Sequence, residues 1–308
     1  MGEIFMSRLT RFLSSVCTHR ADGPPLPLQQ PGFPVAVCWS AKSGCTTVLK
    51  WFLAQIGLLD EALAHNEWIH AYRQDRLFAA KDYALQCARL FKHTQRNTLI
   101  IRVIRDPASR AVSSFLHLLR NQHDIEHWPD APELTRWKAA MGLARQQGLS
   151  FRQFLMYLAA KRENRGWIDP HFRPQYDEQQ DSMVDTYIRL EDLSAGLRAI
   201  EDRCRLLHVD VENLSSSPHH NPATASHGWP IRASEFPADL NILHELGTPP
   251  VRAFLDAETR VLIHKVYWMD YEAYGHHYDA APNTTSWMRS ADRAKTVAAL
   301  SGKLRWAA

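Results

Sequence analysis

A chain of 308 residues with 45% hydrophobic side chains can bury a full core, and its length suits one large domain or two small ones. Charged residues make up 22% and the net charge is only +3, which argues against a broad nucleic-acid-binding face of clustered Lys and Arg and leaves room for a local basic pocket. The five cysteines are too scattered for a disulfide framework, and no Cys-x-x-Cys pair suggests structural zinc.

Residues 6–17 are weakly amphipathic, too short and too interrupted in their apolar run for a signal peptide. They suit a docking helix or a disordered tail. No run of about 18 apolar residues follows anywhere, so no membrane span is expected and a cytoplasmic protein is. Residues 1–32, with Pro24-Pro-Leu-Pro27 and Pro31-Gly-Phe-Pro34 at the end, read as a flexible leader without periodicity. A single domain is expected over 33–280.

The first βα unit should place a strand at 35–39 and a helix at 46–58. Residues 75–92 carry Leu77, Phe78, Tyr83, Ala84, Cys87, Leu90 and Phe91 at helical spacing, which predicts one helix. A second βα unit covers 98–120, with Asp106 as N-cap and Pro107 in the first helical position. Residues 121–136 read as a loop and 150–160 as a helix capped by Ser150, and 121–180 together as a helical insertion. A third βα unit has its strand at 185–190 and its helix at 194–207. A polar loop at 215–228 precedes an amphipathic helix at 256–274. Residues 281–308 read as a weakly structured tail with a short helix at 291–302. Strands separated by helices imply an α/β fold with a parallel sheet flanked by helices.

Two of these units end their strands in cationic, hydroxyl-rich turns, where open α/β sheets bind phosphate. In Lys42-Ser-Gly-Cys-Thr-Thr47, Gly44 lets the backbone approach an anion. Lys42 supplies a cation, and Thr46 and Thr47 supply hydroxyls at the helix start. The lysine precedes the glycine, whereas in the nucleoside-triphosphatase loop it follows the last one. In the second turn, Arg105 leaves the strand and Arg110 shares a helix face with Ser113 and Ser114, a grouping suited to clamping phosphate. Taken alone, the first turn also reads as a capped strand–helix junction with a solvated lysine. The second alone reads as an Arg105–Asp106 surface pair. Both turns in one chain suit a ligand with anionic groups at each end.

At this point the sequence resembles a known family. Lys42-Ser-Gly-Cys-Thr-Thr47 looks like the 5′-phosphosulfate-binding loop of sulfotransferases, and Arg105-Asp-Pro-x-x-Arg-x-x-Ser113 is similar to their 3′-phosphate-binding segment. Three further segments resemble the membrane-associated carbohydrate sulfotransferases and their bacterial relatives. Asp169-Pro-His-Phe-Arg-Pro-Gln175 looks like their His-Trp-x-Pro segment, with Phe172 in place of Trp. Tyr187-Ile-Arg-Leu-Glu-Asp-Leu193 looks like their third strand and acidic turn. Tyr267-Trp-Met-Asp-Tyr-Glu-Ala-Tyr-Gly275 looks like their closing helix. The resemblance covers about 35–275 and implies a P-loop-like three-layer fold. The vertebrate members' Golgi membrane span has no counterpart here, which points to a soluble enzyme of bacterial type.

The resemblance implies 3′-phosphoadenosine 5′-phosphosulfate as donor and adenosine 3′,5′-bisphosphate as product, with no metal required. It assigns Lys42 to the bridging oxygen and leaving phosphate. The backbone of Ser43, Gly44, Cys45, Thr46 and Thr47, with the two threonine hydroxyls, falls to the 5′-phosphate, and Arg105 with Ser113 to the 3′-phosphate. The general base is expected among His171, Glu67 and His70, with His93 weaker. The acceptor is expected to be a saccharide or lipid-linked glycan, with a peptide tyrosine or a small hydroxylated metabolite left open, and with no nucleic-acid partner; the oligomeric state stays open. Trp128, Trp137 and Trp167 suit either stacking on a sugar or packing. His219-His-Asn221 and His276-His277 lack carboxylate or Cys partners at ligand spacing, so no metal is expected. A P-loop kinase-like phosphotransferase and a non-catalytic nucleotide-binding module are the alternatives.

Overall fold

The computed structural model describes residues 24–90, 97–120, 138–139, 142–144, 147–163, 168–215, 229 and 232–278. In chain order the elements are β1 (Val35–Cys38), α1 (Cys45–Gln55), α2 (Leu59–His65), α3 (Ile69–Tyr72), α4 (Tyr83–Leu90), β2 (Leu99–Ile104), α5 (Pro107–Arg120), α6 (Phe151–Glu163), α7 (Glu178–Asp181), β3 (Thr186–Arg189), α8 (Leu193–Cys204), α9 (Val211–Ser215), α10 (Leu240–Leu246) and α11 (Ala257–Tyr274). They fall into two compact units. The first takes Met1–Arg105, Gln175–Ser216 and His276–Ala308; the second takes Asp106–Pro174 and Ser217–Gly275. The expected loop at 121–136, most of the 215–228 loop, the tail, His93, His219, Trp128, Trp137 and Trp167 lie outside the described residues.

In the first unit, β1, β2 and β3 form a parallel sheet in the order β1-β2-β3, with Val35 opposite Leu99 and Ile101 opposite Thr186. This is the expected α/β architecture. Strand side chains alternate between faces. Val35, Val37, Ile101, Val103 and Ile188 share one apolar cluster with Val48, Trp51 and Phe52 of α1 and Leu193, Leu197 and Ile200 of α8. The approach of α8 is close: a Cβ on Gly196 would lie 2.4 Å from Ile188 Cγ2. On the opposite face Ala36, Cys38 and Ile100 meet Val184. Burial there pushes the Cys38 thiol up to about 12.

Arg102 is the exception within this apolar strand. It is 2% exposed. Its guanidinium pairs with Asp181 of α7 at 3.2 Å and donates to the Gln175 carbonyl and the Gln180 side chain. Asp181 also accepts from the Tyr187 hydroxyl (3.0 Å) and the Asp177 N–H (2.9 Å). A buried charge persists only when paired and hydrogen-bonded in this way. The ion pair thereby pins 175–181 against the second face of the sheet.

Two expectations need correction in this unit. The helix predicted over 75–92 is a π-helical turn at Arg73–Phe78 followed by α4. Arg73 lies 4.2 Å from the Trp39 ring and 5.4 Å from the Phe78 ring, and burial lowers its pKa to about 10. Tyr83 donates to the Pro27 carbonyl (2.9 Å) and accepts from the Gln29 N–H (3.1 Å). These tertiary contacts override the helical period. The same contacts bring the packed chain to start earlier than Phe33: Leu28 is buried and exchanges both backbone hydrogen bonds with Val37 at 2.9 Å.

The second unit is helical. Phe115 of α5, Phe151 and Phe154 of α6, and Phe254 form an aromatic group with ring centres 5.3–6.2 Å apart, within a cluster that includes Ile263, Val266 and Tyr267 of α11. The two expected caps, Asp106 and Ser150, are present. Asp106 accepts from the Ser109 N–H at 2.7 Å. Ser150 and Gln153 accept from each other's N–H at 3.2 and 2.9 Å, and α11 opens on a capping box between Asp256 and Thr259. Among the described residues no helix is long and apolar enough to cross a membrane.

Replacing Arg102 by Met, or Asp181 by Asn, strands the opposite charge in the core. Each change is expected to lower the unfolding free energy by about 3–5 kcal/mol, measured from urea denaturation midpoints at constant slope. Arg102→Met combined with Asp181→Leu is expected to lose less than either single replacement.

Candidate functional site

The first turn is held in an unusual backbone conformation. Lys42 has φ 67° and Gly44 φ 76°, so the chain passes twice through the left-handed region within three residues. Gly44 is the N-cap of α1 and cannot be another residue without strain. A Cβ there would lie 2.5 Å from Leu190 Cδ1. The first helical hydrogen bond runs from the Val48 N–H to the Gly44 carbonyl (3.0 Å), so the N–H groups of Gly44, Cys45, Thr46 and Thr47 precede the ladder. Such a helix start carries partial positive charge and takes up anions.

Ser43 has a different part from the one the sequence suggests. Its N–H lies 3.3 Å from the Ser40 carbonyl. Its fully buried hydroxyl accepts from Ser40 (3.0 Å) and donates to Gln175 (2.7 Å). It shapes the turn from inside.

The second turn begins at the end of β2. The Arg105 guanidinium donates to the Lys42 carbonyl at 3.0 Å, so the two cationic turns of the first unit touch. The Arg105 backbone N–H donates to Gln175 Oε1 (2.9 Å) and its carbonyl accepts from Gln175 Nε2 (2.8 Å). Gln175 closes the motif quoted above, but no sequence signal marks it as the contact between the turns.

Of the expected bases, Glu67 is exposed. His70 is buried, and its Nε2 shares a hydrogen bond with the Thr46 hydroxyl (3.0 Å) and lies 4.0 Å from Cys45 Sγ. His70 thus orients the start of α1.

In the second unit, the anticipated Arg110–Ser114 clamp is instead internal. Arg110 is buried, donates to the Arg173 carbonyl at 2.6 Å and lies 5.8 Å from the Tyr267 ring. Ser114 donates to the His171 carbonyl at 2.8 Å. Both fix the 169–173 turn, as does the Tyr267 hydroxyl, which donates to the Phe172 carbonyl at 3.0 Å. Ser113 is half-buried on α5.

His171 is held in a defined state. Asp169 accepts from its backbone N–H and faces its Nδ1, both at 2.7 Å. Burial tends to raise Asp169, but the hydrogen bonds and charge of His171, with Arg173, outweigh it and hold the carboxyl below its usual range. An ionised carboxylate only accepts, so Nδ1 is the nitrogen that donates to Asp169, and the tautomer this selects has its lone pair on Nε2. The sequence placed His171 among the bases; Asp169 as its orienter was not anticipated.

A model described as the sulfotransferase family matches residues 30–279. The chain belongs to the sulfotransferase family. The resemblance expected from the two turns thus holds at the level of the family. No curated protein and no solved structure matches the chain significantly. In this sulfotransferase, among the described residues, no group of His, Cys, Asp or Glu is arranged to hold a metal ion.

Gly44→Ala adds both a clash with Leu190 and left-handed strain, and is expected to cost about 1–3 kcal/mol of stability. Adding Leu190→Ala relieves the clash and leaves the strain. In thermal unfolding the Gly44→Ala change should therefore shift the midpoint less in the Leu190→Ala background than alone.

Proposed function

We propose that this sulfotransferase moves the sulfuryl group of 3′-phosphoadenosine 5′-phosphosulfate to an acceptor hydroxyl, with a carbohydrate or glycan as the favoured acceptor. The observation that carries the donor assignment is the Arg105–Lys42 contact at 3.0 Å. It brings two cationic turns into one neighbourhood, as a ligand anionic at both ends requires. The family match runs through both compact units, which supports reading them as one catalytic domain.

The residues fit such a donor. The start of α1 offers successive N–H groups beside Gly44, where the missing Cβ lets an anion approach. Lys42 neutralises charge on the leaving phosphate, and Thr46 donates from a hydroxyl oriented by His70. Arg105 and Ser113 bind the 3′-phosphate. The donor supplies an activated sulfur–oxygen bond; when the acceptor oxygen bonds to sulfur, that bond breaks and adenosine 3′,5′-bisphosphate leaves. We assign the acceptor proton to His171 Nε2, because Asp169 fixes its tautomer and stabilises the imidazolium that results. Glu67 and His70 are the lesser candidates, the first for want of an orienting partner in the described contacts, the second because its Nε2 is engaged by Thr46.

Calorimetry is expected to show binding of adenosine 3′,5′-bisphosphate without magnesium. Binding of ATP–magnesium with no affinity for the bisphosphate would instead mark a kinase-like enzyme. Lys42→Ala should abolish transfer and keep much of the bisphosphate affinity; normal transfer by that variant removes Lys42 from the mechanism. His171→Asn is expected to lower kcat by about 10²–10⁴-fold with bisphosphate affinity little changed, and Asp169→Asn to lower kcat less. If His171→Asn leaves kcat intact while Glu67→Gln does not, the base is Glu67.

A further inference from the structure

We propose that Gln175 is a positioning residue that locks the Lys42 turn and the Arg105 turn at the fixed separation a two-ended anionic ligand needs. This rests on reading those turns as the two ends of one donor site.

Gln175 is 3% exposed, and its amide touches both turns. Oε1 accepts from the Ser43 hydroxyl (2.7 Å) and from the Arg105 N–H (2.9 Å), and Nε2 donates to the Arg105 carbonyl (2.8 Å). Toward Arg105 the side-chain amide behaves as a strand backbone does, exchanging one N–H and one C=O. It does so one residue beyond the last rung of the sheet, where Ile104 lies opposite Arg189.

The other contact reaches into the first turn at its most enclosed residue. Ser43 lies between Lys42 and Gly44, both at positive φ, so its hydroxyl fixes the part of the loop least able to hold itself. Gln175 is fixed in turn by its own carbonyl, which accepts from the buried Arg102 guanidinium. The bridge therefore runs from Ser43 through one amide to Arg105, anchored on an ion pair in the sheet. The Ser43 hydroxyl, the Gln175 amide and the Arg105 backbone groups make this bridge without themselves touching the ligand, which leaves the Arg105 guanidinium its own role.

What the bridge supplies is preorganisation. A ligand held at two points gains from the second contact only if the points are already at the right spacing; otherwise part of the gain is spent ordering the loops. A merely structural glutamine would weaken all ligands alike. A positioning glutamine acts on the advantage of two phosphates over one.

The test is calorimetry with adenosine 5′-phosphate, adenosine 3′-phosphate and adenosine 3′,5′-bisphosphate on the full chain. Wild type is expected to prefer the bisphosphate strongly. In Gln175→Leu the bisphosphate affinity should fall on the order of 10–100-fold while each monophosphate changes less than about 3-fold. Gln175→Glu should fall between, since it keeps the acceptor for Ser43 and the Arg105 N–H but sets an oxygen against the Arg105 carbonyl. Ser43→Ala cuts one end of the bridge with little change in volume and should shrink the preference in the same direction. An undiminished preference in Ser43→Ala overturns the proposal even if Gln175→Leu does not fold, and so does an equal loss for all three ligands. Wild type that fails to bind the bisphosphate at all overturns the donor reading and this bridge with it.

Discussion

The buried pair between Arg102 and Asp181 is the constraint on which the first unit turns. A guanidinium in the middle strand of a sheet is costly to desolvate, and here every neighbouring feature answers that cost. Asp181 supplies the counter-charge, Gln180 and the Gln175 carbonyl take further N–H groups, and the four-residue α7 presents Asp181 and Gln180. Asp177 caps that helix by accepting from the Gln180 N–H at 2.9 Å. With 175–181 held this way, the side chain of Gln175 meets Ser43 and Arg105, beyond the ends of β1 and β2. The geometry of the Lys42 and Arg105 turns thus depends on an electrostatic requirement several residues back along the strand.

That dependence explains which parts of the molecule were legible in the sequence. The three strands, α1, α5, α6, α8 and α11 follow from periodicity and from caps whose chemistry is local: Asp106 three residues before Ser109, Ser150 three before Gln153. Local rules see such pairs because both partners are near in sequence. The turns themselves were legible for the same reason. The partners of Arg102 lie more than seventy residues away (|i−j| 73 and 78), and nothing in the run Leu99–Ile104 says where they will come from. A charged residue inside an apolar run announces only that a partner must exist. The π-helical turn at Arg73–Phe78 was hidden differently: its apolar spacing is helical, and the tertiary contacts of Arg73 and Tyr83 are with residues far away in sequence.

The serines and arginines of the second turn show a related limit. Arg105 and Arg110 look alike in the sequence, five residues apart in one strand–helix junction. The structure separates them by burial. Arg110 spends its guanidinium on the Arg173 carbonyl and on Tyr267 inside the second unit, and so shapes the turn that carries His171. Arg105, half-buried, reaches the Lys42 carbonyl. Helical spacing says which residues share a face; whether that face looks inward or outward is decided by the distant elements that pack on it.

The backbone at Lys42 carries the functional argument one step further. Two non-glycine residues among those described have positive φ, Lys42 and Arg205. Arg205 ends α8 as its C-cap, where the left-handed conformation satisfies the helix's last carbonyls and is common. Lys42 ends no helix. It sits between a strand and the glycine that opens α1, and its conformation costs roughly 1–3 kcal/mol that nothing local returns. Its carbonyl is held by Arg105 and its neighbour Ser43 by Gln175, so the surrounding contacts over-determine a turn that would otherwise relax. Strain kept in place by contacts from two distant side chains is what distinguishes this turn from an ordinary strand–helix junction.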